Sequence, residues 1–271
     1  MTAKSPSVLI TNDDGIDCEG LWHLAGAAAQ AGWDVTIAAP AKEASGSSAA
    51  MHGAFRDGRR IEAQRRELPP PADGLTAYAV DGSPALITTL AAWGGFGGRP
   101  DYVLSGINRG PNTGRGVLHS GTVGAALTAA GHGIPAAAFS LDVDEHDDSP
   151  PHWLTAAQVA AEVIPAVLGL PAATTLNVNV PNISPVRFGG IRLGHLATFG
   201  AFQMRVRGPD SGAGYLQISL EGAQAGPQPG SDSALLKAGL ACVTPLHGVG
   251  ASSAAGLPWP LAPGSTLPRT G

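Results

Sequence analysis

The chain has 271 residues, 44% of them hydrophobic and 14% charged, which supplies a large globular core and excludes a disordered chain. A formal charge of −5 gives no basic face for a nucleic-acid scaffold, and no apolar run is long enough to span a membrane. Cys18 and Cys242 are the only cysteines and lack zinc-site spacing; with no hydrophobic leader, they suggest a reducing, cytoplasmic setting.

In chain order, Val8-Leu9-Ile10 is a continuous apolar run, the pattern of a strand buried on both faces. It stops at Asn12-Asp13-Asp14-Gly15, turn chemistry that sets two carboxylates side by side. In an open parallel sheet, ligands bind where the first strand ends. Two like charges there repel each other unless a cation sits between them; the alternative is a solvated turn. The next helix opens at Gly20, carries Leu21, Leu24, Ala25 and Ala28 on one face, and stops at Gly32. Residues 34–39 form a second strand, ended by Pro40, which completes β-α-β. In the loop over 41–51, Ser45-Gly46-Ser47-Ser48 suits the approach of an anion or offers a weak metal ligand. A flexible surface loop has the same composition.

Residues 56–71 are charged and then proline-rich, which predicts an edge excursion with a surface turn. Residues 76–80 alternate as a strand, Asp81-Gly82 turns, and Ser83 and Pro84 are the predicted N-cap and first residue of a helix reaching Trp93. A buried strand over 101–105 runs into a glycine-rich loop over 106–121 that holds Asn108, Arg109, Asn112, His119 and Ser120. Long loops of this kind in compact domains are usually functional, although each residue alone suits a turn or a cap. A helix begins at Thr122, so Gly121 and Thr122 stand at a helix N-terminus, where free N–H groups and the positive dipole end make a phosphate seat.

Residues 136–140 are a further strand, and Asp142, Asp144, Glu145, Asp147 and Asp148 make an acidic loop, a solvated charge run or a second metal site. A helix over 153–168 with a kink at Pro165 and a strand over 176–180 follow. This alternation predicts an α/β chain, a three-layer α/β/α arrangement around a mostly parallel sheet. Beyond Pro185, residues 191–198, 202–207 and 215–220 read as strands without helices between them, an antiparallel arm or hairpin. Ser231-Asp232-Ser233 caps a short helix, and residues 241–244 give a last strand. The expected division is a core over 1–185, a β-rich extension with returning elements over 186–249, and a loosely ordered tail over 250–271.

Assembled, these residues resemble the SurE family of survival-protein phosphatases, which act as 5′/3′-nucleotidases. The resemblance rests on Thr11-Asn12-Asp13-Asp14-Gly15, Ala39-Pro40 with Ser45-Gly46, Ser105-Gly106-Ile107-Asn108 with Gly110-Pro111-Asn112, and Ser120-Gly121-Thr122-Val123 with Gly124-Ala125-Ala126. Asn177-Val178-Asn179-Val180-Pro181 and Val243-Thr244-Pro245-Leu246 continue it in the same order. It implies a Rossmann-like core, a C-terminal oligomerising extension, and one divalent cation held by Asp13, Asp14, Ser45 and Asn108. Carboxylate, hydroxyl and amide oxygens are hard ligands, suited to magnesium or manganese, with calcium able to occupy the site. Asp13, Asp14 and Asn108 would carry catalysis; Asn112, Ser120, Gly121 and Thr122 would hold the phosphate. The expected partners are a small phosphate ester and other copies of the chain, as homodimer or homotetramer, with no nucleic acid or membrane.

The chain departs from the family pattern at Ile16-Asp17-Cys18-Glu19-Gly20, at Gly82-Ser83-Pro84-Ala85-Leu86, at His119 in place of an aromatic tyrosine, and in a shortened extension. None touches the proposed ligands, but they open the choice of leaving group. A phosphatase specialised to a biosynthetic pathway and a non-catalytic nucleotide-binding module are the alternatives. An aspartyl-phosphate mechanism is less suited, because it wants two carboxylates one residue apart, whereas Asp13 and Asp14 are adjacent.

Overall fold

A computed structural model describes residues 5–53, 60–144, 149–171, 174–198, 202–207, 217–222 and 228–249. β1 (Ser7–Thr11) lies at the middle of the sheet, with its last four residues buried. Because both faces are covered, an unbroken apolar run fits where an alternating one would not. β2 (Asp34–Pro40) and β5 (Tyr102–Arg109) flank it in parallel, in registers Leu9↔Thr36 and Leu9↔Val103. β4 (Thr76–Val80) continues the parallel run beyond β2; β6 (Ala136–Asp142) and β7 (Thr174–Pro181) continue it beyond β5. The chain therefore winds outward from β1 in two directions, and the crevice between β1 and β5 is the topological switch point.

β3 (Ala63–Arg66) closes one edge antiparallel to β4. At the other edge β11 (Ala241–His247) runs antiparallel to β7, and β8 (Ile191–Leu193) lies parallel to β11. The nine strands stand in the order β3-β4-β2-β1-β5-β6-β7-β11-β8. The mostly parallel mixed sheet expected from the sequence is present, and residues beyond 185 add two strands to it.

α1 (Glu19–Gln30) and α4 (Trp153–Val167) cover one face, where Leu21, Leu24, Val159 and Ile164 pack on Ile10, Ile37 and Phe139. α2 (Pro84–Ala92) and α3 (Gly121–Gly131) cover the other, where Ile87, Val123 and Ala126 meet Leu9, Val103 and Ala138. Pro165 falls in the last turn of α4. Gly20 lets α1 approach the backbone next to Asn108: a Cβ there would stand 2.0 Å from the Ile107 carbonyl oxygen.

Three expectations change. The excursion over 56–71 contains the edge strand β3; residues 54–59 lie outside the described ones. Ser83 stands at the N-cap position of α2 but does not cap it; its hydroxyl donates to the Ala50 carbonyl at 2.5 Å and accepts the His52 N–H at 3.1 Å. Residues 191–198 are not part of an antiparallel arm, since β8 pairs in parallel within the main sheet. Among the described residues, β9 (Phe202–Arg207) and β10 (Gln217–Gly222) pair antiparallel, as an arm or hairpin requires. The tail over 250–271 and residues 145–148 of the acidic loop lie outside the described residues.

Candidate active site

The turn after β1 is built by Asn12. Its buried side chain donates to the Gly15 carbonyl at 3.0 Å and accepts the Gly15 N–H at 3.1 Å, closing Asp13 and Asp14 inside a turn spanned by that side chain. The loop after β2 is tied to it through the Ala44 N–H, which donates to the Asp13 carbonyl at 2.7 Å. These contacts fix the carboxylates relative to Ser45.

Asp13 points at the start of α3. Its carboxylate accepts the Gly121 N–H at 3.1 Å and a short hydrogen bond from the Thr122 hydroxyl. Burial pushes its pKa up, and these donors oppose that shift. Gly121 has to be glycine here, because a Cβ would lie 2.7 Å from Asp13 Oδ2 and 2.6 Å from Ser47 Oγ. The helix start that sequence reasoning offered as a phosphate seat thus spends these donors on Asp13. Ser120 caps α3 by accepting the Val123 N–H at 3.1 Å.

Asp14 is held differently. Its Oδ2 is buried and has no hydrogen-bond partner. Burial, then the charge of Asp13, raise its pKa to about 7; the Arg109 N–H and guanidinium pull the other way, and Glu43 adds to the rise. An orphaned carboxylate oxygen beside a second carboxylate is the chemistry that a hard cation relieves.

The two neutral candidates, Ser45 and Asn108, fit the same need. Ser45 donates to Glu43 Oε1 at 2.7 Å, which leaves its oxygen free to accept. The Asn108 amide nitrogen donates to the Gly110 carbonyl at 2.7 Å, so Oδ1 is the end of that side chain left for a cation. Asp13, Asp14, Ser45 and Asn108 all line one cavity of about 790 Å³, together with Arg109, Asn112, His119 and Ser120. It opens over the carboxyl ends of β1 and β5, at the switch point. Gly121 and Thr122 stand behind Asp13 and do not line it. Among the described residues no three of His, Cys, Asp or Glu converge as a metal cage, so a cation here would rely on two carboxylates and neutral oxygens.

Three residues that sequence reasoning did not assign hold the loop over 110–120. The side chains of Asn177 and Asn179, on one face of β7, both donate to the Asn112 carbonyl, at 2.8 and 3.0 Å, and Asn179 Oδ1 accepts the Asn112 N–H at 2.8 Å. The Asn112 amide donates to the Ser140 hydroxyl at 2.8 Å. The signal was present: two asparagines at i and i+2 in an apolar strand share a buried face and need partners. Asp232, at the start of α5 (Asp232–Lys237), is fully buried and accepts N–H bonds from Gly114 at 2.7 Å, Ala197 at 3.0 Å and Ser233 at 2.7 Å. It ties the 3-10 turn Gly114–His119 to the segment after β8.

With the geometry in place, the family model described as survival protein SurE matches residues 8–201. The chain belongs to the SurE family. It is 36% identical over 243 residues to the 5′-nucleotidase SurE of Methylococcus capsulatus, covering 89% of this chain and 90% of that one. It is 36% identical over 251 residues to the 5′-nucleotidase SurE of Caulobacter vibrioides, covering 89% of each. The crystal structure of the SurE protein from Aquifex aeolicus superposes with a TM-score of 0.71 at 30% identity, over 89% of this chain and 93% of that one. Among the described residues no helix is long and apolar enough to cross a membrane.

Proposed function

We propose that this member of the SurE family is a divalent-cation-dependent phosphomonoesterase that releases phosphate from nucleoside monophosphates. The observation that carries this reading is the buried, unpartnered Oδ2 of Asp14 beside Asp13 in an open cavity at the switch point. The names of the relatives, 5′-nucleotidase SurE, point the same way.

Asp13, Asp14, Ser45 and Asn108 would hold the cation, magnesium or manganese by their oxygen chemistry, with calcium as a further occupant. When bound, it neutralises the carboxylate pair and polarises a phosphoryl oxygen. The start of α3 fixes Asp13 through two hydrogen bonds, a preorganisation in place before any reaction. Asp13, Asp14 and Asn108 are the proposed catalytic groups. Ser120 and Asn112, which line the cavity, are the proposed phosphate-binding residues, with Arg109 and His119 as further donors. Gly121 and Thr122 act on the site through Asp13, which they hold, and are not proposed as direct phosphate ligands.

The hairpin of β9 and β10 stands as its own two-stranded sheet. A lone hairpin is marginal in water, which supports an extension over 186–249 that joins copies into a homodimer or homotetramer, on a core over 1–185. A cytoplasmic location fits the same reading. The test is phosphate release from adenosine monophosphate by chelated protein, before and after addition of magnesium or manganese, with Asp14→Asn alongside. Activity should appear only with metal and should fall by orders of magnitude in the variant. Undiminished turnover in either the chelated protein or the variant would overturn the proposal.

A further inference from the structure

Breaking an alkyl phosphate ester releases an alkoxide, which is a poor leaving group unless a proton reaches its oxygen as the bond breaks. The cavity that holds the aspartate pair contains few groups able to give that proton. Asp13 and Asp14 are the proposed cation ligands and would hold the cation as carboxylates. Asp17 spends its carboxylate on Arg66, at 2.7 Å, and Glu43 accepts the Ser45 hydroxyl at 2.7 Å, so both act as acceptors. Burial pushes the Cys18 thiol up to about 11, too weak an acid for the task. Arg109 keeps its proton in any protein environment. Serine hydroxyls and asparagine amides are acids no stronger than the alcohol itself. His119 is what remains of the described lining.

Its placement suits proton transfer. The backbone is pinned on both sides, because the Leu118 carbonyl accepts the Ser48 hydroxyl at 2.7 Å and Ser120 caps α3. His119 itself is exposed to the cavity opening. It stands two residues before Gly121, whose N–H holds Asp13, so at about 3.8 Å per step the two Cα atoms lie within roughly 7.6 Å of each other. His52 and Lys42 line the neighbouring cavity, across the loop that carries Ser45, and not this one.

We infer that His119 is the general acid of the reaction, the group that hands a proton to the leaving oxygen of the ester. This rests on the phosphatase reading. The bond from phosphorus to the alcohol oxygen breaks as a bond from phosphorus to the attacking water oxygen forms. The leaving oxygen takes the proton of the imidazolium. Of the two protons on the water, one stays on the released hydrogen phosphate and the other restores the imidazolium, directly or through solvent. Histidine is the side chain that both holds and releases a proton near neutral pH, and a transfer of this kind contributes about 10²–10⁴-fold in rate. Aryl phosphates, whose phenolate leaves with little help, depend on it least.

The test compares kcat for adenosine monophosphate and for p-nitrophenyl phosphate in the full chain at saturating manganese. His119→Gln keeps a hydrogen-bond donor that cannot give up its proton, and the position is exposed. Its kcat should fall at least about a hundredfold on adenosine monophosphate and at least about tenfold less than that on p-nitrophenyl phosphate. Manganese affinity by calorimetry should be unchanged, and free imidazole should restore part of the adenosine monophosphate rate to His119→Ala. Equal losses on both esters, an undiminished rate on adenosine monophosphate, or a weaker manganese site would each overturn the inference. A parent chain that hydrolyses neither ester would overturn the phosphatase reading itself, and the inference with it.

Discussion

Gly121→Ala is the most informative single substitution. Alanine is favoured over glycine in a helix by about 1 kcal/mol, so a helix-only argument predicts a more stable protein. The structure predicts the reverse. The new methyl group would stand 2.6 Å from Ser47 Oγ, 2.7 Å from Asp13 Oδ2 and 2.8 Å from Asp13 Cβ, against an ordinary contact of roughly 3.5–4.0 Å. Asp13 must move by most of an ångström and give up its bond to the Gly121 N–H. Overpacking costs about 1–3 kcal/mol, and a hydrogen bond to a charged group about 1.5–3 kcal/mol. The net after the helix gain is a loss of roughly 1.5–5 kcal/mol of stability, and we expect a roughly ten- to hundredfold weaker cation site. Gly131→Ala, at the other end of α3 with nothing within 4 Å of the added Cβ, is the internal control; it should gain about 0.5–1 kcal/mol and leave the cation alone. Manganese titration by calorimetry and thermal unfolding of both variants give the comparison. If Gly121→Ala bound manganese as the parent does and melted no lower, the idea that α3 aims Asp13 would be refuted.

Other expectations follow from neighbouring groups. Because the Asp14 carboxyl is pushed up from its ordinary 3.8 to about 7 in the cation-free protein, a cation must displace its proton below that pH. Manganese affinity should therefore fall about tenfold per pH unit below 7 and level off above it, and Asp14→Asn should abolish the slope; a flat profile in the parent would contradict the burial of this group. Asp232→Ala strands three backbone N–H groups, each costing about 1–3 kcal/mol, so the loop over 110–120 should exchange its amide protons faster and denaturant stability should drop by about 3 kcal/mol or more; unchanged exchange would mean the anchor is elsewhere. Burial, with help from Asp14, pushes the Cys18 thiol up to about 11, leaving about one thiolate in a thousand at pH 8. Iodoacetamide should react with Cys18 far more slowly than with a free thiol, and reaction at the free-thiol rate would refute this.

Local signals were sufficient for most of the molecule. An apolar run ending in Asn-Asp-Asp-Gly is a short-range pattern, and so are the glycine-rich loop and the alternation of strands and helices. β3 was hidden for a physical reason: all four of its residues are exposed, so it is held by backbone pairing with β4 and carries no apolar pattern. β8 depends on pairing with β11, fifty residues later in the chain, which no local pattern reveals. Asp232 meets Gly114 across 118 residues of sequence, and its charge alone suggested only a helix start. Gly121 and Thr122 illustrate the opposite case. Their helix-end position was legible, but which anion the helix end faces depends on Asp13 reaching it from β1.

We propose that Asp13, Asp14, Ser45 and Asn108 together form one cation site. Anomalous scattering from crystals soaked in manganese tests it most directly. One strong peak should lie within coordination distance of Asp14 Oδ2, with oxygens of Asp13, Ser45 and Asn108 around it. A peak remote from the aspartate pair, or none at saturating manganese, would contradict it.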